Sequence, residues 1–276
     1  TGVQTVLFRS PKSRGRVRSK PLDTLKNEIE ALANGGIREI VLVGINLSAY
    51  GKGEDFNIVD AVKICNENEK IKRIRLGSLE PDHLTDEVID GLSSCEKLCP
   101  QFHISLQSGC NKTLKSMNRH YTAEEYKALC TKLRASFYDA SLTTDVMVGF
   151  NDETEADFSE SLDFVKNIAF EKVHVFPYSE RVGTAASKRG DNVSKQEKEH
   201  RAAVMIEETE KIRHNYLKSL VNTSKKVLFE NEIKPGIYQG YTKSYLPVRM
   251  KYDRNIVGEE LEVKITNYCD EFCIAE

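Results

Sequence analysis

The runs FHISLQSGCNKTLKSMNRHYT, residues 102–122, and LTTDVMVGFNDETEADF, residues 142–158, decide the fold of this chain. Each run begins as an apolar strand and ends abruptly in small polar and acidic residues before a helical pattern starts. Barrels of alternating strands and helices build their active sites from such strand ends. The two runs therefore predict an enzyme scaffold of the α/β class.

Strand-like and helix-like segments alternate from residue 38 to residue 220. The strands are hydrophobic runs rather than strict alternations, which predicts a parallel sheet covered by helices. The predicted strands are residues 38–46, 70–80, 101–108, 142–150 and 170–179, with residues 5–10 as a further candidate. Six such strands would form an open, partial (βα)6 barrel.

A change of pattern near residue 221 divides the chain into two predicted domains. One long, charged amphipathic helix covers residues 194–221 and closes the first domain. Four short strands follow, KKVLFEN, GIYQGYT, YLPVRMKY and GEELEVKITNY, with turn residues between them. This segment predicts a small all-β, OB-like barrel, so the predicted domains are residues 1–221 and 222–276.

The composition excludes several classes of protein. The chain has 276 residues, of which 39% are hydrophobic and 30% charged, and a formal net charge of −2. No apolar run approaches the roughly 20 residues of a membrane helix, and the N-terminal residues lack the apolar core of a signal peptide. Seven scattered cysteines predict reduced thiols rather than a disulfide framework. We therefore expect a cytoplasmic protein without a membrane partner.

The N-terminal segment is basic. Its cations Arg9, Lys12, Arg14, Arg16, Arg18 and Lys20 all precede the first acidic residue, Asp23. Such clusters contact nucleic-acid phosphates, which makes Arg14, Arg16 and Arg18 candidate RNA-binding residues. A solvated terminal arm is the alternative that composition leaves open.

Five linked motifs resemble the radical S-adenosylmethionine (SAM) domain of the tRNA methylthiotransferases. They are GINLSAYG (44–51), RIRLGSLEP (73–81), HISLQSGCNKTLKSMNRHYT (103–122), TTDVMVGFNDETEADF (143–158) and KVHVFPYSERVGTAA (172–186). The C-terminal strands resemble the RNA-binding TRAM domain of these enzymes. SRGRVRSKP (13–21) and GINLSAYG resemble the branch that adds a methylthio group to C2 of N6-threonylcarbamoyladenosine at position 37 of tRNA, rather than the isopentenyladenosine or ribosomal-protein branches.

The resemblance implies an enzyme that uses SAM and a [4Fe–4S] cluster, with the tRNA anticodon loop, an electron donor and a sulfur source as partners. In the family a Cys-x-x-x-Cys-x-x-Cys motif just before SRGR holds this cluster, but here no cysteine precedes Cys65. The family's N-terminal domain, with its second cluster, is also missing from the sequence. We therefore predict no metal ligands and an inactive chain as written, and a frame shift upstream of Lys12 is one hypothesis for the loss.

Two other cysteine pairs have the Cys-x-x-x-Cys spacing without a third cysteine. They are Cys95 with Cys99 and Cys269 with Cys273. Two ligands do not hold a cubane cluster, so we interpret all four as packing thiols.

The barrel geometry places the cofactor across the strand ends. The candidate cofactor-binding residues are Gly44, Asn46, Tyr50, Ser78, Glu80, Gln107, Ser108, Arg119 and Asp145. Arg119 is suited to pair with the cofactor carboxylate, and Asp145, inside an apolar strand, to bond a ribose hydroxyl or a neighbouring strand. The alternatives stay open: an ordinary turn for the glycine and amide residues, a solvated acid for Glu80, and a salt bridge with Glu124 or Glu125 for Arg119. No catalytic residue is assigned.

The small barrel carries the candidate RNA site. Aromatic rings alternate with cations there, which suits base stacking and phosphate contact. The residues are Tyr241, Lys243, Tyr245, Arg249 and Lys251. A tyrosine-rich barrel core is the alternative reading.

Three further features have plain interpretations. His103 and His174 lie in apolar strands and are interpreted as satisfied core histidines. Residues 151–153, Asn-Asp-Glu, stand where relatives often carry Pro-Gly-Glu, which predicts a less rigid loop. Two other functions stay open, a non-catalytic RNA-binding remnant and an unrelated βα-barrel lyase.

Overall fold

A computed structural model of the protein describes residues 18–181 and 183–276. The described residues begin with alternating helices and strands, as predicted. The strands are β1 Glu39–Leu42, β2 Arg73–Leu76, β3 Gln101–His103, β4 Ser141–Val148 and β5 Lys172–Pro177. The helices are α1 Leu22–Asn34, α2 Ile58–Glu67, α3 Asp86–Ser93, α4 Asn111–Ser116, α5 Ala123–Ser136, α6 Glu155–Ile168 and α7 Lys195–Ser219. The candidate strand at residues 5–10 lies outside the described residues.

All strand pairs in this part are parallel, which confirms the predicted parallel sheet. β1 pairs with β2, and β3, β4 and β5 form a second sheet. Parallel bridges from Ile74 to Leu98 and from Leu79 to Ile104 connect the two sheets. Because the strands are parallel, their C-terminal ends lie on one side, where the polar residues of the sequence motifs follow them.

The core lies between the strands and their helices. Ile74 and Leu76 of β2 pack into it, as do Phe102 of β3 and Val146 of β4. Each is at most 4% exposed. In the two described ranges, no helix combines the length and apolar character needed to cross a membrane.

A closed five-stranded barrel follows α7. Its strands are β6 Ser224–Lys234, β7 Ile237–Thr242, β8 Pro247–Lys251, β9 Glu260–Tyr268 and β10 Cys273–Ala275, in the order β10-β8-β7-β6-β9. The sequence predicted four strands and missed β10, because its three residues are too few to show a period. α7 ends and β6 begins on either side of the predicted boundary at residue 221. That the two parts are separate domains stays a prediction.

Two arginines of β2 join the small barrel to the larger part. Arg73 donates to the carbonyl of Tyr241 at 3.0 Å and to Glu260 at 2.7 Å. Arg75 donates to the carbonyls of residues 242 and 243 at 2.9 and 3.0 Å. The two side chains are only 2% and 4% exposed. The alternation in RIRL thus directs Ile74 and Leu76 to the helices and both arginines to the barrel.

Glu171, just before β5, makes stability depend on pH. Its carboxylate accepts from the backbone N–H of Leu142, and burial raises the pKa of Glu171 to about 7. The unfolded carboxyl titrates near its ordinary value of 4.5. The folded state therefore holds the proton more tightly between these values, so this group's contribution to stability declines as pH rises from about 4.5 to about 7.

We expect Glu171→Gln to remove this pH dependence. The amide oxygen can still accept from Leu142, while the buried charge is absent. Urea unfolding at pH 5 and pH 8 should show a loss on raising the pH that is smaller in the variant by up to about 3 kcal/mol. Glu69→Gln, at an exposed glutamate, is the matched control. Equal pH dependence in the unsubstituted protein and Glu171→Gln would contradict the assignment.

Candidate functional site

A cavity of about 700 Å³ lies at the C-terminal ends of the strands. Its size suits a small-molecule ligand. Each strand, or the loop directly after it, contributes to the lining. These residues are Asn46 after β1, Glu80 after β2, Gln107 after β3, Asp145 and Met147 within β4, and Phe176 within β5.

Local hydrogen bonds fix two of the lining loops. The backbone N–H of Glu80 donates to the hydroxyl of Ser48 at 2.9 Å, which joins the loops after β1 and β2. Gln107 has a φ of 71°, in the left-handed region that costs energy for a residue with a side chain. Its backbone bonds to Asp145 and Met147, both at 2.8 Å, hold it there. The switch from apolar to polar residues at Gln107 therefore coincides with a break in the extended chain after β3. The backbone hydrogen bonds to β4 hold this break in place.

Glu80 and Arg119 form an ion pair at the cavity wall. Arg119 Nη1 lies 2.7 Å from Glu80 Oε2. Burial raises the pKa of Glu80, against the opposing effect of the Arg119 guanidinium. Arg119 therefore pairs with Glu80, and within the described residues no ion pair joins it to Glu124 or Glu125. One carboxylate and one guanidinium in contact can complement the ammonium and carboxylate groups of an amino acid.

Asp145 pairs with a histidine of the neighbouring strand β3, the alternative to a ribose contact that the sequence left open. His103 Nε2 lies 3.4 Å from Asp145 Oδ2, and His103 Nδ1 lies 3.0 Å from the hydroxyl of Thr143. The ring of His174 is 5.9 Å from that of His103, and burial lowers the pKa of His174. Strand register creates these contacts, pairing His103 with Thr143 and Asp145 with His174. Register is not visible in one strand alone.

Four predicted cofactor-binding residues lie outside the cavity lining that the structure describes. Tyr50 donates to the carbonyl of Lys20 and borders a neighbouring cleft. Ser108 is buried against the hydroxyl of Ser161 at 3.4 Å. Gly44 and Ser78 are exposed in loops. The structure thus gathers five of the nine candidates, Asn46, Glu80, Gln107, Arg119 and Asp145.

Apolar lining residues were missed because they resemble an ordinary core. They include Met117, Met147, Phe150, Phe176 and Tyr178. Phe150 and Tyr178 meet edge to face at 4.9 Å. Among the described residues, the buried hydroxyl of Tyr178 has no hydrogen-bond partner. Burying such a group costs free energy unless something bonds to it, so a polar ligand atom in the cavity could offset this cost at Tyr178.

The loop after β4 is tied to its neighbours. The Asn151 side chain donates to the carbonyls of Ala186 and Gly190 at 2.8 and 2.6 Å. The backbone N–H of Asp152 donates to Asn192 at 2.9 Å. A proline at residue 151 could not make the Asn151 hydrogen bonds. The Asn-Asp-Glu loop is therefore held by hydrogen bonds, and the prediction that it is less rigid was wrong.

The candidate RNA residues share one region of the small barrel. Register pairs Gln239 with Arg249 and Ile237 with Lys251, which puts Tyr241, Arg249 and Lys251 on one face of β7 and β8. Tyr241 stacks on Tyr245 with ring centroids 4.8 Å apart. Tyr245 is 49% exposed. The tyrosine in the buried core of this barrel is Tyr238. The alternative of a tyrosine-rich core therefore does not apply to Tyr241 and Tyr245.

Of the three N-terminal candidates, Arg18 is exposed at the start of the described residues. Arg14 and Arg16 lie outside the described residues.

The cysteines do not fit an iron–sulfur cluster at this cavity. All seven are described, six of them are buried, and none is part of the cavity lining. Burial raises the pKa of Cys65 and Cys273 to about 11 and of Cys130 to about 12, so these thiols stay protonated at neutral pH. Within residues 18–181 and 183–276, no group of three or more His, Cys, Asp or Glu side chains is placed to hold a metal ion.

Comparison with known proteins gives consistent matches. The radical SAM superfamily model matches residues 7–165. The threonylcarbamoyladenosine tRNA methylthiotransferase of Thermotoga maritima is 35% identical over 260 residues, covering 94% of this chain and 59% of that protein. The tRNA-2-methylthio-N6-dimethylallyladenosine synthase of Natranaerobius thermophilus is 37% identical, covering 93% and 58%. The chain therefore spans less than two thirds of the length of these relatives.

A solved structure also shares the fold. Coproporphyrinogen III oxidase of Escherichia coli, a radical SAM enzyme, aligns with a TM-score of 0.53 at 16% identity. The alignment covers 80% of this chain and 59% of that one.

Proposed function

We propose that this chain, which belongs to the radical SAM superfamily and is similar over more than nine tenths of its length to tRNA methylthiotransferases, binds SAM in the cavity and tRNA on its small barrel. Radical SAM proteins use SAM together with a [4Fe–4S] cluster. Membership in this superfamily excludes the alternative of an unrelated βα-barrel lyase.

The convergence of Asn46, Glu80, Gln107, Arg119 and Asp145 on one cavity carries the proposal for SAM. Arg119 and Glu80 would bind the carboxylate and ammonium of the methionine part. Asp145, held by His103, would accept from a ribose hydroxyl. The aromatic and methionine side chains would pack against the adenine and the sulfonium.

The RNA proposal rests on the small barrel and on two sequence motifs. Tyr241, Tyr245, Arg249 and Lys251 present rings and cations together, as single-stranded RNA requires. We propose that this barrel is a TRAM domain and that Arg14, Arg16, Arg18 and Lys243 add phosphate contacts. SRGRVRSKP and GINLSAYG favour the anticodon loop with N6-threonylcarbamoyladenosine at position 37 as the substrate, in the cytoplasm.

The cluster is where this chain departs from the family function. The family's three thiolates have no counterpart before Cys65, six of the seven cysteines are buried, and none of the seven is part of the cavity lining. We therefore propose that this polypeptide binds cofactor and RNA without cleaving the cofactor, so that methylthio transfer, with its electron donor and sulfur source, is a property of the family and not of this chain. The rival is a chain whose other thiols bind iron.

A binding assay with iron counting tests these proposals. Calorimetry should detect S-adenosylhomocysteine binding, and Asp145→Ala should weaken it about tenfold or more, because one good hydrogen bond to a charged group contributes about 1.5–3 kcal/mol. Asp253→Ala, in an exposed turn, should leave the affinity unchanged. After anaerobic reconstitution with iron and sulfide, we expect no bound cluster. About four irons per chain with 5′-deoxyadenosine formation would show that the chain is an active enzyme.

The RNA arm uses a fluorescent anticodon stem-loop. We expect tighter binding when its adenosine carries the threonylcarbamoyl group than when it carries a dimethylallyl group. The opposite preference would assign the chain to the branch of the second relative.

A further inference from the structure

Two basic segments meet beside the cavity, and we call them together the basic rim. They are residues 111–120 and Arg181 with residues 183–190. Their basic residues are Lys112, Lys115, Arg119, His120, Arg181, Lys188 and Arg189. Neither segment contains Asp or Glu, although the whole chain has 42 acidic residues against 40 lysines and arginines. Nearly half of the cavity lining comes from this rim.

Hydrogen bonds fix the two segments of the rim to each other and to the loop after β4. Arg189 donates to the hydroxyl and carbonyl of Ser116 at 2.7 and 2.9 Å. Asn151, which is 3% exposed, holds the carbonyls of Ala186 and Gly190 from beneath. The rim is therefore a connected surface at the cavity and not two independent loops.

The charge of the rim is directed to solvent. Lys112 pairs with Asp157 at 2.6 Å and Arg119 pairs with Glu80, so their charges are compensated. Lys115, Arg181 and Lys188 are exposed. The carboxylates that flank the second segment are Glu180 and Asp191, and Asp191 is paired with Lys198. The carboxylates Glu80, Asp82 and Asp145 lie in the cavity lining itself, whereas Lys115, Arg181 and Lys188 place exposed positive charge on the rim around it.

The small barrel is too far from this entrance to hold RNA there. Its residues 241–244 contact Arg73 at the start of β2 and Asp139 just before β4. The cavity lies at the opposite ends of the same strands. Asp139 precedes β4 and Asp145 of β4 lines the cavity, so at about 3.3 Å per residue roughly 20 Å separate the two regions. An RNA bound on the barrel needs a second point of contact where its base enters the cavity.

We propose that the basic rim binds the phosphate backbone of single-stranded RNA on both sides of the nucleotide whose base enters the cavity. The inference rests on the proposed function. An enzyme that acts on a base must hold the extruded nucleotide by its flanking backbone, and phosphate contacts supply that hold without reading sequence. Lys115, Arg181 and Lys188 provide the cations, and the tethers of Asn151 and Arg189 keep them in place.

The test is RNA binding by the double charge reversal Lys115→Glu with Lys188→Glu. Neither side chain is part of the cavity lining in the described residues. For two lost phosphate contacts on a single strand, the slope of log K against log salt should fall by about 1.4, and the affinity at 0.1 M salt by at least about tenfold. The matched control is Lys26→Glu with Lys127→Glu, two exposed helix lysines away from the rim. It carries the same change of net charge and should reduce affinity much less.

Two further readings separate the possible failures. Binding of S-adenosylhomocysteine should be unchanged in both double variants, which shows that the cavity is intact. If the rim variant binds the stem-loop as the control does, while Tyr241→Ala abolishes binding, the rim proposal is wrong and the barrel proposal stands. If the unsubstituted chain does not bind the stem-loop at all, both proposals are wrong.

Discussion

Replacing Arg73 by alanine should lower the free energy of unfolding by about 3–5 kcal/mol. This is the largest stability effect that we expect from removing one side chain between the small barrel and the larger part of the molecule. Arg73 is 2% exposed and lies between Glu260 at 2.7 Å and Glu39 at 3.8 Å. It also donates to the carbonyl of Tyr241. Truncation would leave the largely buried Glu39 with less compensation and the carbonyl without this donor, and both losses carry the cost of desolvation.

Urea unfolding followed by far-UV circular dichroism measures this loss. Arg254→Ala is the matched control, because Arg254 also pairs with a glutamate, Glu259, at 2.9 Å, but on the exposed surface. Exposed pairs contribute about 0–1 kcal/mol, so the control should unfold close to the unsubstituted protein. Equal midpoints for Arg73→Ala and Arg254→Ala would contradict a structural role for the buried arginine.

The same contact should govern where the small barrel sits. Arg73 and Arg75 hold the turn at residues 241–243 against β2, and Glu80 follows the same strand at the cavity. The candidate RNA face and the candidate cofactor site are thereby attached to opposite ends of one short strand. Loss of Arg73 would act on the relation between the two sites as well as on stability.

Much of the fold was predictable because its periodicities are local. The hydrophobic runs predicted the parallel strands, and the change of pattern near residue 221 predicted a small all-β barrel, both of which the structure contains. β10 was missed because Cys273–Ala275 is too short for a pattern. The arginines of RIRL fit a strand from the sequence, but their barrel partners lie about 170 residues away and leave no local trace.

The sequence predicted only those site residues that interrupt an apolar strand or directly follow one. Asn46, Glu80, Gln107 and Asp145 interrupt or follow apolar strands, which is why sequence reasoning found them. The pairing of Glu80 with Arg119 spans 39 positions and depends on the path of the loop after α4. The contact of His103 with Asp145 depends on strand register. Both contacts are tertiary, and a single sequence without its homologues does not encode them visibly.

Replacing Arg119 by alanine should weaken S-adenosylhomocysteine binding about a hundredfold, or about 3 kcal/mol. Removing one member of a buried, hydrogen-bonded charge pair costs about 2–5 kcal/mol, and in the complex the ligand carboxylate would lose the guanidinium as its bidentate partner. Here Glu80 would remain, and its pKa, which burial already raises, would rise further without the guanidinium.

The conservative variant separates this role from a merely structural one. Arg119→Lys keeps the charge beside Glu80 but offers no planar fork, so we expect stability close to that of the unsubstituted protein and affinity between the two extremes. Decarboxylated S-adenosylhomocysteine, which lacks the carboxylate, should bind the unsubstituted protein and Arg119→Ala almost equally. If Arg119→Ala instead weakens both ligands by the same factor, the guanidinium only maintains the cavity wall, and the ligand carboxylate lies elsewhere.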